Sequence, residues 1–137
     1  MTSYASIPEA SYIEYTRLLA THPLARYHQT PTSQWLMGDF RHTFHNRVMQ
    51  LRIDPAAADH EIDEMIARYF AHQLPVAWMV GPSSQPTDLG ARLRAHGMVP
   101  TGFLPGMIAD LTTLPEDLLR PAGLSVQTVS DIEWLNS

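Results

Sequence analysis

The strongest structural signal in the sequence is DPAAADHEIDEMIARYFAHQLP, residues 54–75, which carries the apolar period of an α-helix. Asp54 before Pro55 predicts the start of the helix, because aspartate caps free amides and proline suits the first helical position. Glu64 and Arg68 stand four residues apart, a spacing that favours an ion pair on a helix surface. The apolar residues recur at intervals of three and four and predict the buried face: Ile62, Met65, Ile66, Tyr69 and Phe70.

A helix and two strands are predicted before this stretch. Ser6 and Glu9 have the spacing of a capping box, and they introduce a predicted helix over about residues 8–21. Ser33–Met37 and Asn46–Ile53 have the composition of two short strands, and the polar connection between them allows the strands to pair.

Three more elements are predicted after residue 74. The apolar run PVAWMVG, residues 75–81, is closed by Gly-Pro and predicts a buried strand. A helix over about residues 88–96 follows. Prolines and glycines interrupt the extended segment 98–111, so we expect two short strands or one bulged strand there. This order of helices and strands predicts a three-layer α/β domain around a mixed sheet.

Composition limits the classes of function. The chain has 137 residues, no cysteine and a net charge of −5, and its nine basic residues are scattered arginines. This length suits one domain with a core, and the missing cysteines exclude disulfides and thiolate sites. No basic run follows a phosphate backbone, and no apolar run is long enough to span a bilayer. We therefore expect a cytoplasmic protein with neither a nucleic-acid partner nor a membrane partner.

QPTDLGARLRAHGMVP, residues 85–100, resembles a phosphate loop at first inspection. Phosphate loops place glycine amides at the start of a helix, whereas Gly97 follows the predicted helix and Asp88 stands at its start. Gly97 as a left-handed residue would bring Leu93 and Met98 into the contact of a Schellman motif. Gly90 inside the helix is unfavourable and is expected to be compensated by close packing against a strand. The stretch is therefore predicted to be a helix with a glycine stop.

Other residues that carry chemistry give weaker signals. Asp39, His42 and His45 recur every third residue, but a loop is expected there, so no metal site is predicted. Trp35 and Trp78 lie in predicted strands, where the core is the main expectation and a ligand-lining role is the alternative. No nucleophile elbow, Walker loop or His-Glu-x-x-His motif occurs, so the catalytic residues are unknown.

The stretches DLGARLRAHGM and PGMIADL, together with Trp35, Gly38 and Asn46, resemble the GNAT acyltransferase superfamily, especially the N-terminal half of its tandem members. The likeness implies a three-layer domain with a mixed, mostly antiparallel sheet flanked by helices over residues 1–115. It also implies a linker over 116–123 and the first strand and helix of a second, truncated GNAT unit over 124–137. Within the first unit it makes Trp35, Asn46 and Trp78 candidate substrate-binding residues.

The same resemblance implies acetyl-CoA binding by a Gln/Arg-x-x-Gly-x-Gly/Ala loop between the fourth strand and the following helix. The corresponding stretch here is RIDPAAADHEI, residues 52–62, which has no glycine. Pro55 removes an amide donor, and Asp54, Asp59 and Glu61 add negative charge opposite a pyrophosphate. We therefore expect no acetyl-CoA binding by this chain, although the full-length family member would use that coenzyme.

Three functional hypotheses follow. In the first, the chain is a GNAT-like half-domain that supports acyl transfer to an amine catalysed by a C-terminal GNAT half. In the second, it is a complete acetyltransferase with an unusual coenzyme loop. In the third, it is a non-enzymatic binding or dimerisation module on the same fold. The expected partners are accordingly a C-terminal GNAT half or a second copy of the chain.

Overall fold

The structure, a computed structural model, describes residues 6–113 and 121–125 of the chain. The elements in these residues are α1 Ser6–Leu19, β1 Ala25–Gln29, β2 Ser33–Gly38, β3 Arg47–Leu51, α2 Ala58–Ala71, β4 Ala77–Trp78, α3 Leu89–Ala95 and a 3-10 turn Leu111–Thr113. The strands form one sheet in the order β1-β2-β3-β4, in which β1, β2 and β3 are antiparallel and β4 is parallel to β3. The expected mixed α/β class is confirmed.

The predicted pairing of two early strands is confirmed by β2 and β3, which are antiparallel neighbours. The structure adds β1, which pairs with β2 in the register Ala25 to Gly38 and Gln29 to Gln34. The sequence did not predict β1 because its residues, ARYHQ, contain no apolar run. Ala25 is the one fully buried residue of that strand.

A bulge in β3 determines which side chains face which helix. Gln34 pairs with Gln50 and Trp35 pairs with Val48, so Met49 is an extra residue on β3. Trp35 and Val48 belong to a core cluster with residues of α2. Gln34 and Gln50 contact each other on the opposite face, where Gln50 approaches residues of α1.

The start of α2 differs from the prediction. The helix begins at Ala58, three residues after the expected first residue Pro55. Asp54 instead closes the preceding turn, since its Oδ1 accepts a hydrogen bond from Ala56 N–H at 2.8 Å and its carbonyl accepts one from Ala57 N–H at 2.9 Å. The prediction of Asp54 as the helix N-cap is therefore wrong, because its carboxylate is used by the turn.

Most of the predicted apolar face of α2 is confirmed. Ile62, Met65 and Tyr69 are buried, and Ile66 is half-buried. Phe70 is 80% exposed, so its predicted core position is wrong. The buried face follows Ala58, Ile62, Met65 and Tyr69, and the residue after Tyr69 is rotated about 100° away from that face.

The expected pair between Glu64 and Arg68 is also wrong. The Glu64 carboxylate lies 3.5 Å from His60 Nε2, one turn earlier in α2. The Arg68 guanidinium lies 4.8 Å from the centre of the Trp35 ring, where it makes a cation–π contact. Packing on the sheet thus determines the position of Arg68.

Two apolar clusters join α2 to the sheet. One contains Leu51, Ile53, Ile62, Leu89 and Leu93. The other contains Trp35, Val48, Met65 and Tyr69. Trp78 packs against both clusters, and the buried Tyr69 hydroxyl donates a hydrogen bond to the carbonyl of Leu36 at 2.7 Å. The short strand β4 is therefore joined to the core by its backbone pairing with β3 and by the indole ring of Trp78.

The glycine stop of α3 is confirmed. Gly97 has a φ of +84°, Met98 N–H donates to Leu93 O at 2.9 Å, and Gly97 N–H donates to Arg94 O at 3.0 Å. Met98 also packs against the cluster that contains Leu93. The expected close packing of Gly90 is wrong, because the nearest atom to a Cβ placed there would be Arg94 Nη1 at 3.9 Å.

The expected strands within residues 98–111 are absent from the described structure. The segment is extended and exposed, and its residue Gly106 lies against Pro8 at the start of α1. Its exposed large apolar residues are Val99, Phe103, Leu104, Met107, Ile108 and Leu111. Within residues 6–113 and 121–125, no strand pairs with this segment, so the predicted strands do not form there.

The second unit expected over residues 124–137 lies outside the described residues except for Leu124 and Ser125, which are exposed. The expected linker over 116–123 is described only from residue 121, where the chain forms a turn with Gly123 at a φ of +86°. No helix among the described residues is long and apolar enough to cross a membrane.

Candidate functional site

An open cleft lies between the first turns of α1, the end of β3 and the turn that follows β4. Its volume is about 280 Å³. We name it the α1 cleft and define it by four polar residues that line it, Glu9, Gln50, Arg52 and Ser83. Apolar side chains of α1, those of Ile7, Ala10 and Ile13, form part of its wall.

Glu9 is fixed by the turn Gly81-Pro-Ser-Ser84. Its Oε1 accepts a hydrogen bond from the Ser83 hydroxyl at 2.8 Å, and its Oε2 accepts one from Ser83 N–H at 3.2 Å. Ser84 closes the turn, because its hydroxyl accepts a hydrogen bond from Gly81 N–H at 3.0 Å. A Cβ at Gly81 would overlap the Glu9 carboxylate, so glycine is required for this approach.

Gln50 connects the cleft to a polar track across the sheet. The Tyr27 hydroxyl donates a hydrogen bond to Gln34, and the side-chain amides of Gln34 and Gln50 meet at 2.8 Å. The other polar atom of the Gln50 amide lies 3.0 Å from Ser83 Oγ. The track therefore links β1, β2, β3 and the turn after β4 to the Glu9 carboxylate.

Arg52 supplies the positive charge of the cleft. Its Nε donates a hydrogen bond to the Ser83 carbonyl at 3.3 Å. Its guanidinium also comes within 3.0 Å of the Gln50 amide when the amide oxygen is turned toward it. In residues 6–113 and 121–125, no carboxylate pairs with Arg52, so Glu9 and Arg52 occupy one cleft without neutralising each other.

The stretch 52–62, where the sequence resemblance led us to expect a coenzyme loop, is bonded within the chain at its start. Gln85 N–H donates to Leu51 O at 2.8 Å, and Ile53 N–H donates to Gln85 O at 3.2 Å. These bonds extend the parallel pairing past β3, with a bridge between Arg52 and Gln85. The backbone at the end of β3 is therefore already paired within the chain.

The acidic first turns of α2 are bound to α3. Asp59 contacts Arg92 Nη1 at 2.6 Å and His96 Nε2 at 3.2 Å, and Asp63 contacts His96 Nδ1 at 2.7 Å. Arg92 also contacts Asp88 at 3.1 Å. The hydrogen bond to Asp59 is the largest influence on His96 and raises the pKa of its imidazole, and Asp63 acts in the same direction.

Asn46, a sequence candidate for substrate binding, holds the loop between β2 and β3. Its Nδ2 donates to the carbonyls of Phe40 and His42, at 2.5 and 3.0 Å, and its Oδ1 accepts from Gly38 N–H at 3.0 Å. Asn46 is fully buried, and these three bonds show that its side-chain amide stabilises the loop. Substrate contact by Asn46 stays a prediction.

Trp35 and Trp78, the other two candidates, lie together on the α2 side of the sheet and apart from the α1 cleft. Trp35 is buried, with the His28 ring stacked at 5.0 Å and Arg68 nearby. Both indole N–H groups are buried without an acceptor among the described residues. The core position is confirmed for Trp35, whereas Trp78 is partly buried against both apolar clusters, and ligand lining by either ring stays a prediction.

Asp39, His42 and His45 belong to the loop after β2. His42 Nδ1 accepts a hydrogen bond from Phe44 N–H at 3.0 Å, and the His45 ring packs against Phe40 at 4.9 Å. Among the described residues, no group of three or more histidines and carboxylates is placed to hold a metal ion.

The sequence did not reveal the α1 cleft. Glu9 was assigned to a capping box, and Arg52 was considered only as part of a coenzyme loop. The available signal was the Gly-Pro-Ser-Ser turn that directly follows a strand, because loops at the carboxyl ends of parallel strands commonly form binding sites.

Comparison with known proteins finds no family profile, no characterised protein and no solved structure that matches this chain. Function is therefore inferred from the geometry of the cleft, the loop and the sheet.

The role of Gly81 predicts opposite effects for two glycine substitutions. Gly81→Ala should lower the free energy of unfolding by about 1–2 kcal/mol, because Glu9 must leave Ser83. Gly90→Ala is the matched control and should raise it by about 0.5–1 kcal/mol, since an open helical site favours alanine. Urea denaturation of both variants measures the difference. Equal shifts of the same sign would contradict the assigned role of Gly81.

The contacts of His96 predict a pH-dependent stability. A histidine whose pKa is raised by folding stabilises the protein fully below its ordinary pKa of about 6.5 and loses that contribution as pH rises through the raised value. His96→Gln should therefore lower the melting temperature most near pH 6 and less near pH 9.

His60→Gln is the control for this titration, because His60 is exposed and contacts one carboxylate at 3.5 Å. His28, whose pKa is lowered by burial, is present in every variant and cancels in the comparison. A melting-temperature difference for His96→Gln that is independent of pH would contradict the prediction.

Proposed function

We propose that this chain is a GNAT-like domain that supports acyl transfer to an amine without binding acetyl-CoA through its own loop. The order of the elements supports the GNAT likeness. Three antiparallel strands are followed by a helix, a parallel strand and a further helix. Because α1 contacts one face of the sheet and α2 the other, a three-layer arrangement is part of the proposal.

The observation that carries the proposal is that backbone amides in the loop after β3 already make hydrogen bonds within the chain. A pyrophosphate would need free amides at this point. The amides of Ile53, Ala56 and Ala57 already donate within the chain. Asp54 and Asp59 would also oppose the negative charge of a pyrophosphate. This arrangement supports a domain in which coenzyme binding has been lost.

In this proposal a second GNAT unit binds acetyl-CoA and carries out the transfer, while the described domain packs against that unit. The contribution of this chain would be structural support and shaping of the site that receives the amine. The α1 cleft is suited to the second task, because it contains a carboxylate and a guanidinium.

A second candidate function, association through the segment 99–111, is favoured by that segment's exposed apolar residues. Phe103 is 100% exposed and Met107 is 92% exposed. Several large apolar residues exposed within one segment favour an interaction site. The outer edge of β4 is unpaired in the described sheet, so an extended segment from a second copy could pair there.

Calorimetric titration of acetyl-CoA into the 137-residue protein tests the main proposal. We expect no saturable binding up to about 1 mM, a limit that corresponds to a binding free energy near −4 kcal/mol. A circular-dichroism melt of the same sample controls for folding. Micromolar binding would overturn the proposal and favour a complete acetyltransferase with an unusual loop.

Light scattering over micromolar to submillimolar concentrations tests the association function. The wild-type chain should be dimeric, and the double variant Phe103→Ser, Met107→Ser should be monomeric because both side chains lose apolar contact area. Phe70→Ser is the control, since Phe70 is also exposed but lies on α2. A monomeric wild-type chain, or equal effects in both variants, would contradict association through this segment.

A further inference from the structure

We propose that the α1 cleft binds a small zwitterion of amino-acid size, with its ammonium group at Glu9 and its carboxylate at Arg52. The inference stands apart from acyl transfer, because it depends only on the residues that form the cleft. It assigns the cleft a ligand that carries both charges, whereas a simple amine or a simple acid would satisfy only one of them.

Glu9 provides the anionic end. Ser83 donates one hydrogen bond to each oxygen of the Glu9 carboxylate, through its hydroxyl and its backbone amide. A carboxylate accepts about four hydrogen bonds, so acceptor positions remain for an ammonium group. The two hydrogen bonds from Ser83 orient the carboxylate in the absence of a ligand.

Arg52 provides the cationic end. The bond from Nε to the Ser83 carbonyl uses one donor of the guanidinium, and the Gln50 amide oxygen, when it is turned toward Arg52, accepts a second bond from Nη2 at 3.0 Å. The guanidinium has five N–H donors arranged in a planar fork, which suits a carboxylate bound through two parallel hydrogen bonds. No carboxylate in the described part of the chain occupies this fork.

Ser83 contacts both charged residues of the cleft. It contacts Glu9 through its N–H and hydroxyl, and it contacts Arg52 through its carbonyl. Glu9 and Arg52 form no ion pair with each other, although both line the same cleft. A ligand with charges at two separate atoms can therefore pair with both residues, which the protein itself does not do.

The size and support of the cleft agree with a small ligand. A volume of about 280 Å³ lies just below the range of about 300–1,000 Å³ that is typical of small-molecule sites, so only a small ligand fits. The polar track through Gln34 and Gln50 reaches Ser83 from the sheet, so the anchoring residue is held by rigid elements. Such preorganisation lowers the entropic cost of binding.

Thermal-shift screening with each common L-amino acid, followed by calorimetry of the best ligand, tests the proposal. At least one amino acid should bind saturably to the wild-type chain. Its decarboxylated amine and its deaminated acid should each bind at least about tenfold more weakly, because each lacks one charge partner. For leucine, these two probes are isoamylamine and 4-methylpentanoate.

Two variants separate the ends of the ligand. Glu9→Gln should weaken binding of the amino acid and of the amine at least about tenfold, while leaving binding of the acid unchanged. Arg52→Gln should weaken binding of the amino acid and the acid, while leaving binding of the amine unchanged. The two variants should therefore differ in which single-charge probe they bind more weakly. A purely structural role of either residue would weaken binding of the amine and the acid alike.

Glu14→Gln and Arg94→Gln are the matched controls, because both residues lie outside the cleft and should leave binding unaffected. If Glu9→Gln fails to fold, the single-charge probes and Arg52→Gln still decide the question. The proposal is overturned if no amino acid binds, if the single-charge analogues bind as well as their parent, or if the cleft variants bind like the controls. The separate acetyl-CoA titration keeps this outcome distinct from that of the proposed acyl-transfer role.

Discussion

The extra residue Met49 in β3 is the constraint on which both faces of the sheet depend. Strict alternation would place Val48 and Gln50 on the same face. With the bulge, Val48 and Leu51 both join the apolar clusters that contain α2 residues, and Gln50 faces the α1 cleft. One short strand thereby supports a closed core on one side and a polar site on the other.

The segment after β4 has two consequences for ligand binding. Gln85 pairs with the end of β3, so the backbone groups of Leu51 and Ile53 that face it are bonded within the chain. Two residues earlier, Ser83 anchors Glu9 and Arg52 at the α1 cleft. The segment 83–85 thus pairs with the end of β3 and also holds two residues of the α1 cleft. A change in this segment would affect both regions.

Local patterns predicted the elements whose formation is decided locally. The end of α3 at Gly97 could be predicted from a glycine at a positive-φ position and the apolar contact beside it. The burial of Ile62 could be predicted from helical periodicity. Glu9 could not be placed in this way, because its partner Ser83 is 74 positions away and a capping box explained the same carboxylate equally well. The strands expected in residues 98–111 had suitable residues but no neighbour, and a strand forms only where another strand pairs with it.

The distribution of charge distinguishes the start of α2, where the carboxylates are paired, from the α1 cleft, where charged groups lack charged partners among the described residues. On α2, Asp59 and Asp63 are matched by Arg92 and His96 of α3, so an incoming phosphate would have to displace established ion pairs. At the α1 cleft, Arg52 has no matching carboxylate in the described chain, and both Arg52 and Glu9 are hydrogen-bonded to Ser83. A ligand gains free energy where it completes unsatisfied groups and loses it where it must break satisfied ones. This criterion favours the α1 cleft over residues 52–62 as the proposed binding site of a charged small molecule.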